Sequence, residues 1–567
     1  MTRLSVLLVT LVALGACAGA QQEDANQPAT PGPSAAPVKR VTSGDVSFDL
    51  PPIEVKGVVY EPDPALGRPG MPLVEAKRKT TKEKQKALVT STKDPVQKQA
   101  QAAIYATMLY LEAKGEKDKA TERAKLAEAR DMLKEVADAA GDKAIDEITL
   151  RLLGSYNLLL ASIADSDKER SDAYDGAEKA WQALLAIVEK DPKAKDVGDI
   201  RTGLAYTQLR RFKNAEALAT VAAAKPDDKQ PELAYVTAWA KLRTGDGAGA
   251  WQAMTTVVQG WTDSGGRDEL ERDVLFFAGR TPASLDQAAA TIAALAKARA
   301  KASQQPQVQQ RTQYEMLARL GLVSYALAGR WGDAVAALDK AVAVGGDILP
   351  PNDLPVIRYS QADFTVRLDA PEAAAKFAKQ AIEAYKPCAE KCTAKDRADT
   401  IKGVYLLGQL FHVLYATAND HNYYEPAHQL YELVTSLPPQ DFPQLAEAQT
   451  NLKKLETTLK NLKVGTGTHD KGALGALLPR HNLEAQACYE AVLGANPRLA
   501  GNVVVNLEAD ATGAIKGVAT EPKAGAADLS AVAGCIAGRV KQWKLPKRGM
   551  PGTTRIKLTF ALSVKAG

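Results

Sequence analysis

The chain has 567 residues, 46% of them hydrophobic and 25% charged, with a formal net charge of +5 and only 6% aromatics. Those proportions exclude a chain without a core, and the length excludes a single small domain: three or four domains of about 150 residues, or one long repeat array with attachments, are expected. Few aromatics beside abundant alanine point to closely packed helices.

At the amino terminus Arg3 precedes an apolar run at residues 4–14, and the small residues Gly15 and Ala16 lead from it to Cys17. This is a secretory signal layout, too short for the roughly 20 apolar residues of a membrane-spanning helix and without a charged far flank. Residues 1–16 are therefore expected to be cleaved. Leu14-Gly15-Ala16-Cys17 resembles the bacterial lipobox, which implies cleavage before a cysteine whose sulfur already carries diacylglycerol, followed by acylation of the new amino terminus. At about 0.8 kcal/mol per buried methylene, several such chains give a lasting anchor. Cys17 is the expected lipid attachment site, and Ala18 rather than Asp after it implies, by the same resemblance, the periplasmic face of the outer membrane.

Residues 18–37 are rich in Ala, Pro, Gln and Gly and bury too little apolar surface to offset chain entropy. Residues 17–93 are expected as a mostly disordered, lipid-anchored tether. Within it, "VSFDL" and "IEVKGVVY" alternate enough to form extended segments that pair with a partner's strand or with the chain's own carboxy-terminal sheet. The Lys-rich stretch at 75–86 reads as a solvated face, and the compartment excludes nucleic acid as a partner. With Cys17 assigned to lipid, Cys388, Cys392, Cys488 and Cys535 remain, and an even number in an oxidising periplasm invites pairing. Sequence order suggests Cys388 with Cys392 and Cys488 with Cys535.

From 94 to 463 one pattern recurs: a small residue, an aromatic about three positions on, a turn, then alanines on a following helix. Gly203, Tyr206, Ala215 and Ala222, followed by Pro226, carry it most clearly. Leu153, Gly154 and Tyr156 with Ala177, Trp181 and Pro192 repeat it, as do Gly321 and Tyr325 with Ala334, Ala337 and Leu338. Gly408 and Phe411 with Ala427 and Tyr431, and Trp239 with Gly245 and Ala248, follow more loosely. These spacings resemble tetratricopeptide repeats, in which small residues let paired helices approach and aromatics fill the gap to the neighbouring pair. The resemblance implies an α-solenoid with a concave binding surface. Residues 464–479 are glycine-rich and read as a flexible linker.

The last region, 480–567, changes character. A short helix ends at Asn496-Pro497; Val503, Val505 and Leu507 share one strand face; a turn at 510–513 leads to a second strand. Asp528 caps a helix on which Leu529, Val532, Ile536, Val540 and Trp543 share a face, and Ile556, Leu558, Phe560, Leu562 and Val564 alternate along a final strand. The order is α-β-β-α-β, expected as an antiparallel sheet with two helices on one face. The fold expected for the whole chain is mainly α, a helical repeat array followed by a small α+β domain.

Cys488-Tyr489, Asn496-Pro497, Gly501 with Val503, Gly513, Cys535-Ile536 and Trp543 with Pro546 together resemble the AgmX/PglI-type carboxy-terminal domain of myxobacterial envelope proteins, a relative of the TonB carboxy-terminal domain. Leu545 stands where that pattern shows an aromatic. The resemblance places Cys488 and Cys535 on facing helices and implies a docking module in a trans-envelope machine, with gliding motility the first process to consider and secretion or transport next. The final strand is expected as an open sheet edge that recruits an extended partner segment. From His481 to Gly567 there are 11 Lys and Arg against 6 Asp and Glu, an excess equal to that of the whole chain. Arg539, Lys541, Lys544, Lys547, Arg548, Arg555, Ile556, Lys557 and Leu558 are the candidate partner-binding residues.

The chain contains no H-E-x-x-H, G-x-S-x-G or G-x-x-x-x-G-K-[ST] motif. Its strongest polar constellation is His421, Glu425 and His428, without tight metal spacing. No catalytic residue, metal, cofactor or small-molecule substrate is expected. The expected function is a membrane-anchored periplasmic scaffold for protein subunits of an envelope complex; the alternative is a cell-wall enzyme or accessory whose activity depends on Glu425 or His428.

Overall fold

The computed structural model describes residues 46–565 except 57–61, 76–79, 142–143, 192–196, 225–230, 262–267, 369, 419–422, 438–441, 443, 462–473, 475–477, 494–498, 511, 523–528, 544 and 546–552. The expected signal peptide, Cys17, the first part of the expected tether and almost all of the expected linker lie outside the described residues. The protein is mainly helical with a small mixed sheet built largely from its carboxy-terminal end. Its chain divides into two compact units, one holding residues 60–277 and 281–304, the other 1–59, 278–280 and 305–567. No described helix is long and apolar enough to cross a membrane.

In the unit formed by 60–277 and 281–304, helices follow one another from Lys82–Ser91 to Leu285–Ser303. Their starts are written in the sequence: the side chains of Asp94, Asp118, Asp146, Ser166 and Ser284 each accept a hydrogen bond from the backbone N–H three residues on, satisfying donors the helix leaves open. Consecutive helices pack closely because small residues face large ones. Trp181, 1% exposed, lies where a Cβ on either Gly154 or Gly203 would approach its indole to 2.5 or 2.6 Å. The glycines of two flanking helices thus leave the space that one ring fills. Gly245 does something else: it takes φ +87° in the turn between Pro231–Arg243 and Gly247–Trp261, a conformation L side chains rarely adopt.

The other unit begins its helical part with Gln307–Arg319, continued by a π-helical stretch at Leu320–Tyr325, and runs through Leu445–Asn461. Gly321 again abuts the next helix, at Ala334 O and Leu338. In the α/β part, strand β3 (Gly501–Ala509) pairs antiparallel with β4 (Ile515–Pro522) and with β5 (Thr554–Lys565). Helices Asn482–Leu493 and Ser530–Val540 supply the α elements of the expected α-β-β-α-β order. Val503, Val505, Leu507, Val532, Ile536, Val540, Trp543, Ile556, Leu558, Phe560 and Leu562 form one buried core. Gly513, at φ +81°, closes the β3–β4 turn; a Cβ there would meet Leu545 O at 1.7 Å. The Asp510 carboxylate accepts from the Thr512 hydroxyl and from Thr512 and Ala514 N–H in that turn; the Thr512 hydroxyl first, then Lys516 and the backbone bonds, hold it far below the usual carboxylate range.

The sheet corrects two expectations. β1 (Val46–Asp49) and β2 (Ile53–Lys56) pair parallel with β5, Val46 opposite Ile556 and Ile53 opposite Leu562, so the strand order is β1-β5-β3-β4 with β2 also on β5. The final strand is therefore not an open edge, and the sheet is mixed rather than wholly antiparallel. Nor is the second half of 17–93 a tether: it holds β1, β2, a turn of helix at Pro64–Gly67 and the helix Lys82–Ser91. Composition does not show the partners that order this segment: β5 for 46–56, the helices around Tyr235 for 62–67, and Pro95–Lys114 for Lys82–Ser91. Leu50 and Ile53 enter the same core, and Asn482 Nδ2 donates to Pro51 O at 2.9 Å.

Candidate functional site

Two places show how this protein holds a segment from a remote part of its own sequence. The first is the β5 edge. Ile556 and Leu558, two of the candidate partner residues, point into the core, while Arg555 and Lys557 alternate outward, and Arg555 pairs with Glu508 at 2.8 Å. Arg539 is half-buried beside Gly329 and Glu484 and so faces the helical part of its own unit. Lys541 is exposed; Lys544, Lys547 and Arg548 lie outside the described residues. The buried Glu484 accepts from Trp543 Nε1–H at 2.7 Å and pairs with His481, whose ring stacks on the Trp543 indole at 4.0 Å. Burial alone would raise its carboxyl, but His481, Arg367 and the indole outweigh it and hold the group below its usual value.

Both cysteine pairs are disulfide-bonded. Cys488 and Cys535 join the two helices of the α/β part with Cα atoms 5.7 Å apart. Cys388 and Cys392 close the carboxy-terminal turn of Pro371–Lys391, with Cys388 inside that helix and Cys392 just past its end. Of the polar constellation, His428 sits 3.4 Å from both Glu432 and Glu456, Glu425 accepts from Gln429, and His421 lies outside the described residues. Among the described residues no three His, Cys, Asp or Glu groups could hold a metal ion.

The second place, in the other unit, is a groove walled by Val197–Arg210, Pro231–Arg243 and residues 268–277, and residues 62–67 fill it. Asp63 N–H donates to Tyr235 Oη at 2.7 Å, and Tyr235 O–H donates to the fully buried Asp273 carboxylate at 2.5 Å. Arg272 donates to that carboxylate from Nε and Nη2 at 3.1 and 3.0 Å and reaches back to within 3.9 Å of the Asp63 carboxylate. The four groups close a ring around one aspartate. Arg210 Nη1 donates to Pro62 O at 2.8 Å. Leu66 is fully buried, and a Cβ on Gly67 would lie 2.4 Å from the Tyr206 ring and 3.2 Å from that of Tyr235. No protein-family model and no curated protein matches this chain.

Burial dominates the groove's electrostatics. It pushes both tyrosine hydroxyls up, and it raises the Asp273 carboxyl to about 6 against the pull of Arg272 and Tyr235, with Asp63 adding to the rise. An aspartate whose folded value lies above its unfolded one binds a proton on folding. Stability in this unit is therefore expected to fall, on the order of 2 kcal/mol, as the pH rises from about 4 to 6. Asp273→Asn should flatten that slope; urea unfolding at a series of pH values, read as amide protection in Pro231–Arg243, checks it.

Sequence reasoning missed this groove. It read Tyr206 as inter-helix filler and 62–67 as tether. The available signals were an Arg-Asp pair at 272–273 directly before the apolar run Val274–Ala278, and a Pro-Asp-Pro turn with Leu and Gly inside a supposed disordered stretch.

Proposed function

We propose that this protein is a lipid-anchored scaffold of a bacterial envelope, a tetratricopeptide-like α-solenoid with a TonB-like carboxy-terminal module, which binds extended segments of other subunits of a trans-envelope machine. The observation that carries the reading is the pairing of β1 and β2 with β5: the module takes up extended chain from a remote part of the sequence by main-chain hydrogen bonds, the same chemistry by which a sheet edge takes a partner strand. A partner segment adds to the sheet where 46–56 now lie. The basic residues exposed on β5, Arg555 and Lys557, and the excess of positive charge over 481–567 favour an acidic segment. Leu14-Gly15-Ala16-Cys17 supports the anchor, and two disulfides suit an oxidising compartment. The proposed process is motility, secretion or transport across the envelope.

The test is recovery of crosslinked partners from intact cells with the full chain, with a chain lacking 481–567, and with Phe48→Pro, which removes a backbone donor from β1. The reading expects the partners to disappear without the module and to rise severalfold when β1 is weakened. Unchanged recovery without 481–567 overturns the docking role.

A further inference from the structure

The groove around Tyr235 recognises its occupant by polar groups at fixed places, which is more than filling space requires. We propose that it is a peptide-binding site for a segment of a partner protein carrying Pro-Asp followed three residues later by Leu-Gly, and that residues 62–67 are a built-in occupant which the partner displaces. The inference deepens the scaffold reading and rests on it for the existence of a partner. The ligand chemistry is read from the occupant: a carbonyl for Arg210, a backbone N–H for Tyr235, a carboxylate for Arg272, an apolar side chain in the Leu66 position, and then a residue without Cβ. An incoming segment must supply the same set, because otherwise Tyr235 Oη loses the Asp63 N–H it accepts from and Arg210 the Pro62 carbonyl it donates to.

The walls do not depend on the occupant. Trp239 stacks on Phe276 at 5.4 Å and meets Phe277 edge-on at 5.2 Å, and Arg243 Nη1 donates to Leu209 O at 2.7 Å, tying the three helices together without residues 62–67. These contacts among the wall residues do not involve the segment. A second copy is a poor competitor: its segment is identical to the one already tethered beside the groove at an effective concentration on the order of millimolar. A partner segment of higher intrinsic affinity is what can displace it.

The probe is a fluorescent peptide with the sequence of residues 58–70, titrated into three forms of the full chain: the parent, Gly67→Val, whose side chain cannot fit against Tyr206, and Asp63→Ala, which removes the acid without adding bulk. The two variants are expected to bind the peptide at least tenfold more tightly than the parent, because the tethered competitor is weakened. Adding Arg210→Ala to either should abolish the gain. If neither variant binds more tightly than the parent while both keep its helical content, 62–67 is a fixed structural plug and the proposal falls. If sedimentation shows a parent dimer that the peptide splits, the occupant is a second copy and the partner assignment falls. Because the components are purified, either failure leaves the module's docking role to its own test.

Discussion

Trp181→Ala is expected to cost the unit formed by 60–277 and 281–304 about 4 kcal/mol, the range for removing a fully buried aromatic and leaving its cavity. The site cannot collapse easily, because Gly154 and Gly203 have no side chains with which to fill the space. Trp181→Phe should cost far less: the indole N–H has no hydrogen-bond partner, so a smaller apolar ring forfeits area but leaves no polar group stranded. The reverse substitutions, Gly154→Ala and Gly203→Ala, push a methyl into the ring and should cost about 1–3 kcal/mol each. Hydrogen exchange of the amides in Glu147–Ser162, Asp167–Val188 and Val197–Arg210 reads these losses locally, which matters in a chain too large for one two-state transition. If protection there is unchanged in Trp181→Ala, the glycine and tryptophan pattern does not hold the array.

That pattern was legible in the sequence because it is local and periodic. The same holds for the alternation of Ile556, Leu558, Phe560 and Leu562, all of which are buried as the period of two demands. Spacing misleads where register matters more than period. Ala215 and Ala222 fit the repeat yet are exposed, while Ala217 between them is the buried one; Ala248 is likewise exposed and Ala250 buried. What the sequence could not show are the long-range pairings. The alternation at 46–56 is real, but choosing between a partner's strand and the chain's own sheet needed β5 in place. The groove at Tyr235 is harder still, since its ring of contacts joins Asp63, Tyr235, Arg272 and Asp273, which no local window contains.

The Cys488–Cys535 bond yields the second large effect. It closes a span of 47 residues, for which the chain-entropy estimate is about 4 kcal/mol, against a typical domain stability of roughly 5–15 kcal/mol. Cys535→Ser should therefore leave the α/β part marginal or unfolded near 37 °C, even though Cys535 itself is exposed, and Cys488→Ala should do the same without leaving a lone buried thiol. The Cys388–Cys392 bond is the internal control. It closes a separation of only 4 residues within one helical turn, so Cys392→Ser should cost no more than about 2 kcal/mol and leave β3 and β5 protected. Amide exchange in those strands distinguishes the cases. Loss of protection with Cys535→Ser but not with Cys392→Ser ties the module's stability to the long bridge; equal, small losses from both would mean that the core around Phe560 and Trp543, together with the added strands β1 and β2, suffices to hold the sheet.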